Sequence, residues 1–163
     1  MVKLKLDYLI TFFIFVICIR CSNYSFSGSM SPGINSIAIP IFDDVSSEFQ
    51  IREKITNSVI QKFIIDNNLK VVSLEEANSI LKGTIVKVED NPVSLRPNES
   101  ASAFELYIYV KLDYIDQKSK KIIFQKNLRG RGTYSNPSQR DDGINEAVDK
   151  ISTDILNLIV SGW

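Results

Sequence analysis

From Phe104 to Ile115 the chain alternates apolar and polar side chains without a break. Phe104, Leu106, Ile108, Val110, Leu112 and Tyr114 share one face, and Glu105, Tyr107, Tyr109, Lys111 and Asp113 the other. A strand of period two has one dry face, and a dry face this long needs a covering layer. Asp116 to Ser119 supplies a turn, and Lys120 to Arg131 returns with Ile122, Phe124 and Leu128 facing inward. Keeping inward residues opposite inward ones fixes the parity of this hairpin. A three-residue loop at 117–119 then sets Tyr107 opposite Arg129 and Glu105 opposite Arg131 on the outer face. Lys126 falls on the inner face in that register, which requires a bulge or a side chain that snorkels outward.

Two segments can supply the cover. Ser47 and Gln50 read as a capping box that opens a helix running to about Asp66. Its apolar stripe is Ile51, Ile55, Val59 and Phe63 at steps of four, with Ile60 and Ile64 beside them. Asn67 and Asn68 close it, because asparagine tolerates the left-handed conformation of a C-cap. Ser138 and Asp141 read as a second capping box, followed by the stripe Ile144, Ala147, Val148, Ile151, Ile155, Leu158 and Ile159, with Gly162 at the end.

The remaining segments are shorter. Ile34 to Phe42 reads as a strand that Pro40 confines to a sheet edge or a strand end. Asp43 to Ser47 is a turn, Leu69 to Ser73 a short strand, and Glu75 to Asn78 one turn of helix. Ile80 to Val88 is a strand with Leu81, Gly83 and Ile85 on one face. Asp90 to Ala103 has two prolines and no period, so it reads as a long loop. This order predicts an α+β two-layer sandwich, a small mixed sheet of roughly four strands with two amphipathic helices on one face.

At the N-terminus, the apolar run Leu9–Ile19 follows Lys3 and Lys5 and ends beside Cys21. The run is too short to span about 30 Å of hydrocarbon as a helix, and it suits the core of a signal peptide. A cysteine at this position is where bacterial lipoproteins are cleaved and acylated. The expected organisation is a signal peptide over 1–20, a lipid-anchored tether over 21–33 with Cys21 acylated, and one domain over 34–163. Arg20 stands where such signals carry a small residue, so an uncleaved N-terminal anchor is the alternative.

Composition removes whole classes of function. Without residues 1–20 the body of 143 residues carries 16 basic and 18 acidic side chains, a balance that gives no reason to expect nucleic acid as a partner. The chain has no histidine, and its two cysteines, Cys18 and Cys21, lie at the signal junction. The commonest general base, the commonest metal ligand and thiolate chemistry are therefore missing. Asp43–Asp44, Glu75–Glu76, Glu89–Asp90 and Asp141–Asp142 are adjacent pairs, which point to opposite faces on a strand and read as solvated residues of turns and helix starts. No phosphate-binding glycine loop occurs. The expectation is a protein without enzymatic activity, metal or cofactor.

One segment stands out by charge. Gln117 to Arg140 holds Lys118, Lys120, Lys121, Lys126, Arg129, Arg131 and Arg140 with no acidic residue. Such a patch can hold phosphorylated glycolipid, arginine giving two-pronged geometry to phosphate. The competing reading is a solvated hairpin whose lysines discourage edge-to-edge pairing. Tyr107 and Tyr109 can support the sheet by cross-strand pairing or stack on Arg129.

These features together resemble the LptE family of lipopolysaccharide-assembly lipoproteins over about residues 21–160. The resemblance rests on Cys21 followed by Tyr24 to Gly28, on Ile37 to Phe42 before a turn and helix, on Ala77 to Ile85, and on a hairpin leading to Arg129–Tyr134. It implies a non-catalytic outer-membrane protein that sits in the lumen of a large LptD-type β-barrel, helps it assemble and contacts lipopolysaccharide in transit. Lys118, Lys120, Lys121, Lys126, Arg129 and Arg131 are then the candidate lipopolysaccharide contacts, and outer-membrane lipid is a partner through the anchor. The alternative is an outer-membrane adaptor that activates a cell-wall synthase. Such adaptors need a long tether, whereas Ser22 to Gly33 reaches at most roughly 40 Å.

Overall fold

The computed structural model describes residues 33–93 and 103–161. The expectations for the signal, Cys21, most of the tether and Gly162 lie outside those residues. Eight elements follow in order: β1 Ser36–Ala38, β2 Asp43–Asp44, α1 Ile51–Asp66, β3 Lys70–Val71, β4 Ser79–Val93, β5 Ala103–Asp116, β6 Ile122–Tyr134 and α2 Arg140–Val160. The sheet has six strands in the order β3–β1–β4–β5–β6, with β2 also paired to β4. β1 lies parallel to both β3 and β4, and β2 is parallel to β4, while β4–β5 and β5–β6 are antiparallel. Both helices contribute to a single apolar core with the sheet, so the fold is the expected mixed α+β sandwich with a wider sheet.

Where apolar periodicity is strong, sequence and structure agree. Leu106, Ile108, Val110, Leu112 and Tyr114 of β5 are buried, as are Leu81, Gly83 and Ile85 of β4. Ile51, Ile55, Val59 and Phe63 line the buried side of α1, and Ile144, Ala147, Val148, Ile151, Ile155 and Ile159 that of α2. Asn67 caps α1 in the left-handed conformation, φ 57°, donating its N–H to the Phe63 carbonyl. Ile64, expected beside that stripe, is exposed.

Local signals of other kinds were overruled. The segment 34–42 holds only the three residues of β1, which is interior to the sheet and buried on both sides at Ser36, Ile37 and Ala38. Proline has no donor for an interior strand, so pairing stops before Pro40 and resumes at Asp43–Asp44, expected as a turn. Neither capping box forms. Gln50 precedes α1 with φ 56° and makes no side-chain cap, and Ser47 also has positive φ. Ser138 lies in a 3-10 turn over Pro137–Gln139 that runs directly into α2. Residues 74–76 form a turn rather than helix.

Of the expected loop at 90–103, residues 90–93 and 103 are described and are strand, and the rest lies outside the described residues. Asp90 to Val93 pair with Leu106 to Ala103, extending the β4–β5 hairpin as an arm. Among the described residues no strand pairs with the other edge of β4 beyond Ile85, so Pro92 removes no ladder bond on that side.

The β5–β6 register differs from expectation by two residues. Tyr107 faces Arg131 and Tyr109 faces Arg129. The turn contains four residues rather than three, closed by Lys120 at φ 57° and by the Asp116 N–H donating to the Lys121 carbonyl. A bulge then adds one more residue between the Ile115–Ile122 and Tyr114–Phe124 pairs. Two single shifts restore parity, so Phe124 still faces inward while Ile122 is exposed.

Candidate functional site

Among the described residues, the sheet has one face under helices and one face open. On the helix side, Gly130 and Gly132 of β6 allow close approach of α2. A Cβ at Gly130 would meet the Ala147 carbonyl and the Ile151 side chain, and one at Gly132 would meet the Gly143 carbonyl. That contact leaves the alternate residues of β6, including Arg129 and Arg131, on the open face.

The open face carries a network of aromatic and charged side chains. The Arg129 guanidinium carbon lies 4.9 Å from the centroid of the Tyr107 ring. Tyr107 and Tyr109 follow each other along this face, their centroids 6.4 Å apart. The Tyr107 hydroxyl donates to Glu105 Oε2 at 2.6 Å, and Arg131 Nη2 donates to Glu105 Oε1 at 2.5 Å. The Tyr109 hydroxyl donates to Glu89 Oε1 at 2.7 Å, and Glu89 also pairs with Lys87. Bonds from Tyr107 and Arg131 hold the Glu105 carboxyl below its ordinary range, and bonds from Lys87 and Tyr109 do the same for Glu89. Beside them, Val86, Lys87, Tyr109 and Asn127 line an open groove of about 400 Å³, with Val110 and Leu128 completing it.

The structure divides the candidate cations. Arg129 and Arg131 sit together on the open face, both exposed. Lys126 of β6 pairs with the inward residue Leu112 and is nevertheless exposed. Lys118, Lys120 and Lys121 stand on the β5–β6 turn. Arg129 lies eight positions along the chain from Lys121, roughly 26 Å at the usual rise of a strand. The six candidates therefore form three groups.

Arg140 leaves the positive patch altogether. Its guanidinium donates to both Glu48 carboxylate oxygens at 2.9 Å and to Asp90 Oδ2 at 2.9 Å. The Tyr134 hydroxyl also donates to Asp90, at 2.8 Å. Glu48, then Asp90, raise the Arg140 pKa further, and its charge is compensated. This cluster joins the loop before α1, the β4 arm and the start of α2. No sequence signal marks it, because its members are 92 and 50 residues from Arg140.

Among the described residues there is no group of three metal-ligating side chains, and no helix is long and apolar enough to cross a membrane. A comparison with curated proteins finds no match. Solved structures give fold likenesses. A protein from Xanthomonas campestris has a TM-score of 0.59 at 8% identity, over 86% of this chain and 90% of that one. The hypothetical protein CT253 from Chlamydia trachomatis gives 0.56 at 11%, over 78% and 94%. Rare lipoprotein B from Shewanella oneidensis gives 0.54 at 18%, over 76% and 94%. The lipopolysaccharide-assembly LptE model matches residues 34–159, the whole helix-and-sheet body just described, and the chain belongs to the LptE family.

Proposed function

We propose that this chain is a lipid-anchored outer-membrane protein that works without catalysis, pairing with an LptD-type β-barrel to move lipopolysaccharide to the cell surface. Family membership over residues 34–159 supports lipopolysaccharide assembly as the process. The observation that carries the molecular part is the stacked Arg129 on the open sheet face. Among the described residues Arg129 makes no ion pair, so its N–H groups remain available to an anionic headgroup. Two-pronged bonding between guanidinium and phosphate is stronger than the single point charge of a lysine gives. Arg131 is beside it but is shared with Glu105. The groove at Val86 and Tyr109 offers an apolar strip next to these cations, which suits an amphiphile with a phosphorylated head.

Cys21 acylation and cleavage after residue 20 complete the reading, and the mass of the mature N-terminus tests them. The partner is tested by capturing the full chain from detergent-solubilised membranes. A large outer-membrane barrel recovered in stoichiometric amount is the expected result. Recovery of a cell-wall synthase instead would refute the reading.

A further inference from the structure

The place where the tether leaves the domain is built. Gly33 adopts φ 98°, a left-handed conformation that glycine takes without strain, and directs the chain into β1. The Asn35 N–H then donates to Asn78 Oδ1 at 3.3 Å, and the Ser36 hydroxyl to the same atom at 3.1 Å. The Asn78 carbonyl accepts from the Gln117 N–H at 2.9 Å. Asn78 thus pins the start of the domain to the β5–β6 turn. Gly33, Asn78, Asp116 and Lys118 line one cleft of about 300 Å³.

That turn presents three exposed lysines and an exposed apolar side chain. Asp116 Oδ1 accepts the N–H groups of Lys118 and Ser119 at 2.8 and 2.9 Å, which holds the turn with Lys118, Lys120 and Lys121 outward. Ile122 is 53% exposed beside them. Leu74, 46% exposed, is held at the same end because its carbonyl accepts from Gln117 Nε2 at 3.1 Å. Glu75 and Glu76 occupy that neighbouring turn, and Asp116 spends its charge on the backbone. The attraction therefore belongs to the lysines of the hairpin and not to the whole end of the domain. Lysines flanking an apolar side chain suit a lipid headgroup layer, ammonium groups at phosphate level and the aliphatic part below.

We propose that the β5–β6 turn docks Lys118, Lys120, Lys121 and Ile122 onto the anionic phospholipid headgroups of the leaflet that holds the anchor. The inference rests on the anchored reading of Cys21: twelve residues, Ser22–Gly33, join the anchor to Gly33, and Gly33 lies beside this turn. The opposite end of the domain, where β6 runs into α2, then points away from the lipid. Arg129 is left available to a different ligand on the open face, with Arg131 beside it paired to Glu105.

The test places one reporter at each end of β6 in the full, processed chain. An environment-sensitive fluorophore on S119C or S135C is read against headgroup-quencher lipid in vesicles that contain phosphatidylglycerol. Thirteen residues of strand separate the two ends, roughly 40 Å. Quenching at Ser119 and little at Ser135 is expected, weakening when phosphatidylglycerol is replaced by phosphatidylcholine. A lysine near an anionic surface changes association about fivefold. K118E/K120E/K121E should accordingly bring Ser119 quenching down to the Ser135 level while the protein still floats with the vesicles. Flotation with equal quenching at both sites, or with no effect of lysines or lipid charge, overturns the orientation alone. Loss of flotation with wild-type lysines refutes the anchored reading and the docking together.

Discussion

Arg129 stacks on Tyr107, 4.9 Å from its ring centroid, although the residue directly across the ladder from Arg129 is Tyr109. The contact is diagonal. In a right-twisted antiparallel pair, a long side chain reaches the neighbour two residues away as readily as the one opposite. An exposed cation–aromatic pair is worth about 0.5–1 kcal/mol. A double-mutant cycle of Y107L with R129A in urea unfolding should return a coupling in that range. The same cycle with Y109L should return close to none, since the Arg129 guanidinium lies over the Tyr107 ring.

Arg140 should be the most sensitive charged position. R140M leaves Glu48 and Asp90 without their shared cation in a place where each side chain is about three-quarters covered. Hydrogen bonds to charged groups are worth about 1.5–3 kcal/mol, reduced here by solvent access to the guanidinium. A loss of about 1–2 kcal/mol by denaturant midpoint is expected. R140K should recover only part of it, because one ammonium cannot reproduce the forked bonds to two carboxylates.

Close approach of α2 to β6 makes Gly132 intolerant of a side chain. G132A puts a methyl into the Gly143 carbonyl, which neither a rotamer change nor a flexible neighbour can relieve. A loss of about 2–3 kcal/mol is expected from overpacking of this kind. R131A, one residue earlier but on the open face, should leave the denaturant midpoint within about 0.5 kcal/mol of wild type.

The pH profile should be flat near neutrality and fall in acid. With no histidine, no side chain of ordinary pKa changes charge between about pH 6 and 7.5. Glu89, Glu105 and Asp116 have folded pKa values below their ordinary ones, 4.5 for the glutamates and 3.8 for the aspartate. Their contribution is therefore complete above those ordinary values and is lost as pH falls through the lower, folded ones. Thermal midpoints should agree between pH 6 and 7.5 and decline below about pH 4.5. A midpoint that moved between pH 6 and 7.5 would show that some other group is coupled to folding.

What could be read in the sequence was whatever depends on period. The inward set of β5 and the buried stripes of both helices follow from apolar spacing alone, and Asn67 marks the end of α1 as its side chain predicts. Most other signals that depend on one or two residues competed with tertiary demands and lost. Ser47 and Gln50 have positive φ in the loop that carries Glu48 to Arg140, so neither caps the helix. The hairpin register missed by two because Lys120 takes a left-handed conformation and a bulge follows, neither of which a lysine or an isoleucine advertises. The expected neighbours Tyr107–Arg129 and Glu105–Arg131 nevertheless touch, because a shift of two preserves the face and leaves them diagonal. The positive run from Gln117 to Arg140 looked continuous along the chain. A β-strand separates its members by face and by length, so only Arg129 and Arg131 are brought together on the open face.

The proposed role in lipopolysaccharide assembly at the outer membrane can be tested in cells. Its most direct measurement is the amount of lipopolysaccharide on the surface of intact cells after the protein is depleted. A fall in surface lipopolysaccharide is expected, with sensitivity to hydrophobic toxins, restored by the wild-type chain. Undiminished surface lipopolysaccharide in fully depleted cells would contradict it.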